Sequence, residues 1–189
     1  MSNSPRNPQH VARAWRSLVR ALGYDLRDPH LADTPARVAR FLCEWHTNVG
    51  VAPPKLTTFP ADHDEIVVVR GIQFYSMCAH HGLPFFGHAA VAYLPSGRIV
   101  GLSKLARVVD HFARRFQTQE AITTEVADYL ETGLSPRGLA VVLNAEHLCM
   151  SLRGVQKPGH DTLTSVMRGD FRESADARAE VLRLIRSGE

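Results

Sequence analysis

The stretch Ser76-Met77-Cys78-Ala79-His80-His81 puts one thiol and two imidazoles within four residues. Those are the donor types that zinc prefers. The stretch alone falls short of a site, since structural zinc takes four protein ligands and catalytic zinc takes three plus water. A further donor is offered by His147-Leu148-Cys149-Met150-Ser151-Leu152-Arg153, where Leu148, Met150 and Leu152 alternate with four polar or thiol residues. Such alternation predicts a strand with one face in the core and the other carrying an imidazole, a thiol, a hydroxyl and a guanidinium. The two segments together predict a metal site joining Cys78, one of the two loop histidines and Cys149. The competing reading is two unrelated buried cysteines beside ordinary surface histidines. A wet strand face rarely carries a free cysteine, which favours the metal.

A second group could grip an anion. Gly101-Leu102-Ser103-Lys104-Leu105-Ala106-Arg107 opens a helix, where free backbone N–H groups and the helix dipole favour negative charge. Lys104 and Arg107, three apart, are neighbours on that helix surface. The plainer reading of two basic residues on a helix is a solvated face. No Gly-x-x-x-x-Gly-Lys-[Ser/Thr] run exists, so a nucleotide would not sit in a P-loop. Gln117, Gln119 and Glu120 precede the next helix; a carboxylate there either caps that helix or reads a guanine edge.

These residues need elements to hold them. Met1 to Gln9 reads as a loose tail. His10 to Leu22 carries Val11, Ala14, Trp15, Leu18, Val19 and Leu22 at helical spacing, with Gly23 as a stop. A second helix starts at Thr34-Pro35 and runs through Val38, Phe41, Leu42 and Trp45. Cys43 falls inside it and reads as a packing residue. The β-branched run Ile66-Val67-Val68-Val69 marks a strand over Asp64 to Arg70, covered on both faces. Gly87 to Leu94 reads as a strand, Pro95-Ser96-Gly97 as a turn and Arg98 to Gly101 as the return. Leu102, Leu105, Val109, Phe112 and Phe116 form one helical stripe, and a further helix spans Gln119 to Leu134. Strands over Gly138–Asn144, His147–Arg153 and Thr162–Val166, then a helix over Ala175–Ile185, complete the pattern.

A chain of 189 residues suits one domain with a helical extension: a tail and helical section over 1–60, then a catalytic domain over 61–189. At 44% hydrophobic and 22% charged residues, widespread disorder is excluded. A net charge of +3 with dispersed arginines argues against nucleic acid as partner. No apolar run is long enough for a bilayer. Three cysteines, an odd count without framework spacing, point to a reducing compartment and an expected cytoplasmic enzyme.

Six motifs, in order, carry a resemblance: Thr34-Pro35-Ala36-Arg37-Val38, Ser76-Met77-Cys78-Ala79-His80-His81, Gly101-Leu102-Ser103-Lys104-Leu105-Ala106-Arg107, Gln117-Thr118-Gln119-Glu120, Glu146-His147-Leu148-Cys149 and Arg153-Gly154-Val155-Gln156-Lys157. Along nearly its whole length the chain resembles GTP cyclohydrolase I. The resemblance implies an α+β tunnelling fold, an antiparallel four-stranded sheet with two helices on one face, after an N-terminal helical section. It implies a homo-oligomer, a decamer with sites between subunits. It implies Cys78, His81 and Cys149 as ligands of Zn2+, and His80 and His147 as proton-transfer residues. Ser103 would lie near the ribose, and Gln119 and Glu120 would contact guanine. Lys104, Arg107 and Arg153 would hold the triphosphate, with Arg37 and Arg40 reaching in from a neighbouring subunit.

The implied reaction is zinc-dependent hydrolysis and ring rearrangement of GTP to 7,8-dihydroneopterin triphosphate plus formate, the first step of tetrahydrofolate and pterin biosynthesis. One position departs from the family pattern, which has glutamate where this chain has Ala79. That departure leaves two alternatives: a paralogue in a specialised pterin or deazapurine pathway, or a zinc- and nucleotide-binding protein with reduced catalysis. Ala121, where the family often has a basic residue, is a milder change.

Overall fold

The computed structural model describes residues 6–186, and the chain divides after Ala52 into two units. In the first unit, Asn7 caps helix α1 (Pro8–Ala21), its side chain accepting from the amides of Gln9 and His10. Pro8 and Gln9 therefore belong to a helix, where the sequence suggested tail; residues 1–5 of that expected tail lie outside the described residues. Helix α2 (Thr34–Trp45) follows, with Pro35 in its first turn. Ala12 and Val19 on α1, and Pro35 and Ala39 on α2, are buried. Cys43 is half-buried.

The second unit begins with strand β1 (Thr58–Pro60), followed by two long strands, β2 (Val67–Cys78) and β3 (Pro84–Leu94). The Val67-Val68-Val69 run is thus the start of a strand that continues into the cysteine. It needs a correction on the way. The β2–β3 register shifts between Val69 and Ile72, and Gly71 sits there at φ +69°. The one extra residue returns Ile72, Phe74 and Cys78 to the face already occupied by Val67 and Val69, as a bulge does in a strand of period two.

The segment expected to return beside β3 does not. Strand β4 (Arg98–Val100) pairs with β1 in a separate two-stranded ribbon, because β3 already has β2 on one side and β6 (Gly138–His147) on the other. Helix α3 (Leu102–Ala113) ends three residues before Phe116. Phe116 lies instead in the two-residue strand β5 (Phe116–Gln117), parallel to Met77 and Cys78 of β2, and is exposed. Helix α4 (Gln119–Leu134) follows. The sheet order is β5-β2-β3-β6-β7, with β7 at Thr162–Gly169; its four long strands are antiparallel.

The strand expected over His147–Arg153 is overturned. His147 is the last residue of β6, and Leu148–Ser151 forms a single helical turn, α5. Leu152 is 64% exposed, so the apolar half of the alternation does not enter the core. The sheet has ended, and seven alternating residues cannot by themselves tell a strand from a turn leaving its end.

Packing covers both faces of the sheet. On one, Phe74, Phe85, Val91, Tyr93, Val141 and Leu143 meet Leu105, Val108 and Val109 of α3 and Ile122, Val126 and Leu130 of α4. On the other, Ala92, Ala140 and Met167 meet Phe171 of α6 (Asp170–Glu173) and Val181 of α7 (Ala175–Arg186). Gly87 is where the strands crowd: a Cβ there would lie 1.9 Å from the Asn144 carbonyl oxygen of β6, so only glycine permits that approach. Among the described residues no helix is long and apolar enough to cross a membrane.

Candidate metal centre and adjoining site

Backbone bonds shape the metal-ligand turn. Cys78 N–H donates to Leu83 O at 2.8 Å, Gly82 N–H to Cys78 O at 2.8 Å, and Ala79 N–H to Gln117 O on β5 at 3.0 Å. Gly82 takes φ +66° to close it. Ala79 is exposed and anchors through its amide, so the turn holds its shape without a carboxylate at that position. Behind it, the Arg115 guanidinium donates to Glu125, Gln117 Nε2 donates to the same carboxylate at 3.0 Å, and Arg115 lies over the Phe112 ring. This tie fixes the α3–α4 connection against which Cys78 packs.

Cys78, His81 and Cys149 converge, their ligand atoms all within 4.8 Å of one another, in a group that could hold a metal ion. Cys78 is buried, Cys149 half-buried and His81 exposed. His81 Nδ1 lies 3.8 Å from Cys78 Sγ, and His80 Nδ1 lies 3.9 Å from it. Burial pushes the Cys149 thiol above its ordinary range, and the neighbouring Cys78 adds to the rise. A thiol held protonated in this way is one whose ionisation a bound cation would favour. The donor set of two sulfurs and an imidazole therefore fits zinc.

His147 stands beside this group at the end of β6. Its ring stacks on Phe85, centroids 4.5 Å apart and planes 4° apart, and Nε2 lies 2.8 Å from Gln119 Oε1. Burial lowers its pKa, His160 adds to the fall and Glu120 opposes it; the net direction favours neutral imidazole. Gln119 itself is 1% exposed, and its amide nitrogen bonds Leu143 O, Thr162 O and Thr164 Oγ1. Glu120 is exposed and makes no side-chain hydrogen bond or ion pair among the described residues. It does not cap α4. Thr118 does, its Oγ1 accepting from Ala121 N at 3.2 Å.

The remaining predicted residues are dispersed. Arg153 is exposed and donates from Nη1 to His81 Nε2 at 3.0 Å, which joins it to the metal group. Ser103 and Arg107 are exposed and Lys104 half-buried in the first turns of α3. That helix starts far from Cys78. Val100 N–H donates to the Tyr93 hydroxyl, and Tyr93 is eight residues along β3 from Phe85, about 26 Å. Only the C-terminal end of α3 leads to β5 and Cys78, and the helix is about 18 Å long. Arg37 and Arg40 lie exposed on α2 in the first unit, Arg37 paired with Asp33 at 3.5 Å.

The sequence reading missed Thr118, though a threonine directly before a helix is a recognised cap signal. It also missed Phe85, whose role follows from its register opposite His147 and has no local signature. A cavity of about 640 Å³ lies on the other face of the sheet, lined by Arg70, His88, Asn144, Asp161, Arg178 and Leu182; it contains none of the predicted site residues.

Comparison with known proteins adds to this geometry. A family model described as GTP cyclohydrolase I matches residues 11–186. The chain is 50% identical to a GTP cyclohydrolase 1 of Thermobifida fusca, over 93% of this chain and 86% of that one. It is also 50% identical to that of Rhodopirellula baltica, over 97% and 82%, and 47% identical to that of Geobacillus kaustophilus, over 96% and 98%.

Proposed function

The chain belongs to the GTP cyclohydrolase I family and is an enzyme of that class, and from that premise we propose how its residues divide the work on GTP. The activity is hydrolysis and rearrangement of GTP to 7,8-dihydroneopterin triphosphate and formate. The observation that carries the reading is the convergence of Cys78, His81 and Cys149 beside His147. Those three residues would hold zinc, which when bound supplies Lewis acidity and lowers the pKa of water at its open position to about 7.

The chain's own groups do the rest. His147, neutral and held in plane by Phe85, exchanges a proton with the guanine imidazole ring, and exposed His80 serves as the second proton-transfer group. Glu120 offers two acceptors to guanine N1–H and the exocyclic amine. Adenine lacks that pair of donors, so the carboxylate would face a lone pair. Ser103 lies near the ribose, and Lys104, Arg107 and Arg153 hold the triphosphate. Arg37 and Arg40 come from a neighbouring chain, and residues 61–189 form the catalytic portion.

The antiparallel sheet with α3 and α4 on one face supports the tunnelling fold. The distance between the start of α3 and Cys78 supports sites shared between subunits, in a ring that the family reading sets at ten. Glu120→Gln tests the substrate assignment. The charge-assisted pair is worth about 1.5–3 kcal/mol, so formate release from GTP should fall by roughly 10²-fold with zinc content and melting temperature unchanged. Undiminished release would remove Glu120 from the guanine contact.

A further inference from the structure

We propose that Gln119 is a positioning residue for His147, which fixes the ring's orientation and its Nε2–H tautomer, and that it does not contact guanine. This rests on the reading of His147 as a proton-transfer group and departs from the guanine contact that the family resemblance assigns to Gln119.

The amide's orientation is forced. Gln119 Nε2 lies 3.1 Å from Leu143 O and 2.8 Å from Thr162 O. Both are backbone carbonyls, which only accept. Turning the amide over would set its oxygen against two other oxygens in a buried place. A third contact, to Thr164 Oγ1 at 3.1 Å, agrees. Thr123 Oγ1 lies 2.7 Å from both Gln119 O and Thr164 Oγ1. Thr123 can donate to the carbonyl, Thr164 to Thr123, and Gln119 to Thr164, so every hydroxyl hydrogen in the circuit has a place.

With the nitrogen end fixed, Oε1 must face His147 Nε2, 2.8 Å away. An amide oxygen only accepts, so Nε2 carries the hydrogen, and in the neutral ring Nδ1 carries the lone pair. Nδ1 has no hydrogen-bond partner among the described residues. Phe85, stacked at 4.5 Å, holds the ring plane while Gln119 holds its rotation. His147 thus gives and takes its proton through Nδ1. Gln119 has nothing left for a ligand: both amide hydrogens are engaged, its oxygen is bonded, and the residue is 1% exposed. A mere filler between β6 and β7 would have no reason to direct its oxygen at His147.

The test uses the full-length protein labelled with ¹⁵N in histidine, with the His147 ring signals assigned by their absence in His147→Asn. Long-range ¹H–¹⁵N correlations should show the Nε2–H tautomer in the wild type and a mixture in Gln119→Met. For Gln119→Met, kcat for GTP should fall by about ten- to a hundredfold, part of the roughly 10²–10⁴ that a positioned acid–base group contributes, while KM stays within about threefold. An Nδ1–H wild-type ring would overturn the proposal, and that spectrum decides even if Gln119→Met does not fold. A raised KM with kcat intact would also overturn it, since that is the signature of a lost guanine contact. If the spectra behave as expected but the wild type releases no formate from GTP, the positioning role stands and the substrate reading falls.

Discussion

The N-termini of α3 and α4 lie toward opposite ends of one sheet and are finished differently. α4 starts on Thr118, whose hydroxyl accepts from Ala121 N, and its first side chain is buried against His147. α3 starts on Gly101 with no side-chain cap, and its first turns present Ser103 and Arg107 to solvent. One start is closed within the chain, its Ala121 amide spent on the Thr118 hydroxyl and the Gln119 side-chain oxygen turned to a histidine. The other leaves backbone donors and basic side chains for something outside the chain, and the positive end of the helix dipole favours an anion there. Sulfur and imidazole gather at the first end, with Arg153 against His81, and the basic pair Lys104 and Arg107 lies at the second. On the reading proposed above, each end supplies part of a site.

Substitutions at the two ends should therefore fail in different ways. Cys149→Ala should lose zinc and several kcal/mol of catalysis, about 10³-fold or more in turnover, read by metal analysis and formate release. Full zinc retention would take Cys149 out of the ligand set. Lys104→Ala with Arg107→Ala should keep the metal and raise KM for GTP by about 10²-fold, two charge-assisted contacts at roughly 1.5–3 kcal/mol each less solvent screening. Loss of zinc in that variant would mean the two ends are not separate. The smallest effect belongs to the cap. Thr118→Ala should cost about 1 kcal/mol of stability, seen as a lower melting temperature, with turnover near that of the wild type. A large loss of turnover would show that the cap also sets the placement of Glu120.

Much of this was legible in sequence because it is local. The stripes of α3 and α4 record which residues face the sheet, and Ile122, Val126 and Leu130 are all fully buried. The thiol and imidazole cluster was legible from residue type. What failed was where elements stop. Phe116 continues the apolar spacing of α3, yet the helix ends at Ala113 and Arg115 turns back to Glu125. His147–Arg153 alternates like a strand, yet β6 ends at His147 and a helical turn follows. The fate of Gln119 was illegible for another reason: its partners Leu143, Thr162 and Thr164 are 24 to 45 residues away. A local pattern cannot show a polar side chain buried by strands that come later.

Mixing subunits tests the split site most directly. Cys149→Ala and the Lys104→Ala/Arg107→Ala variant, each nearly inactive at GTP well below the variant KM, would be dissociated, combined in equal amounts and reassembled. If one chain supplies the metal end and its neighbour the basic end, random assortment should restore about a quarter of wild-type activity, because half the chains are intact at each end. If each chain holds its own complete site, no mixture contains an intact one, and activity should stay at the level of the separate variants. That result would contradict the account.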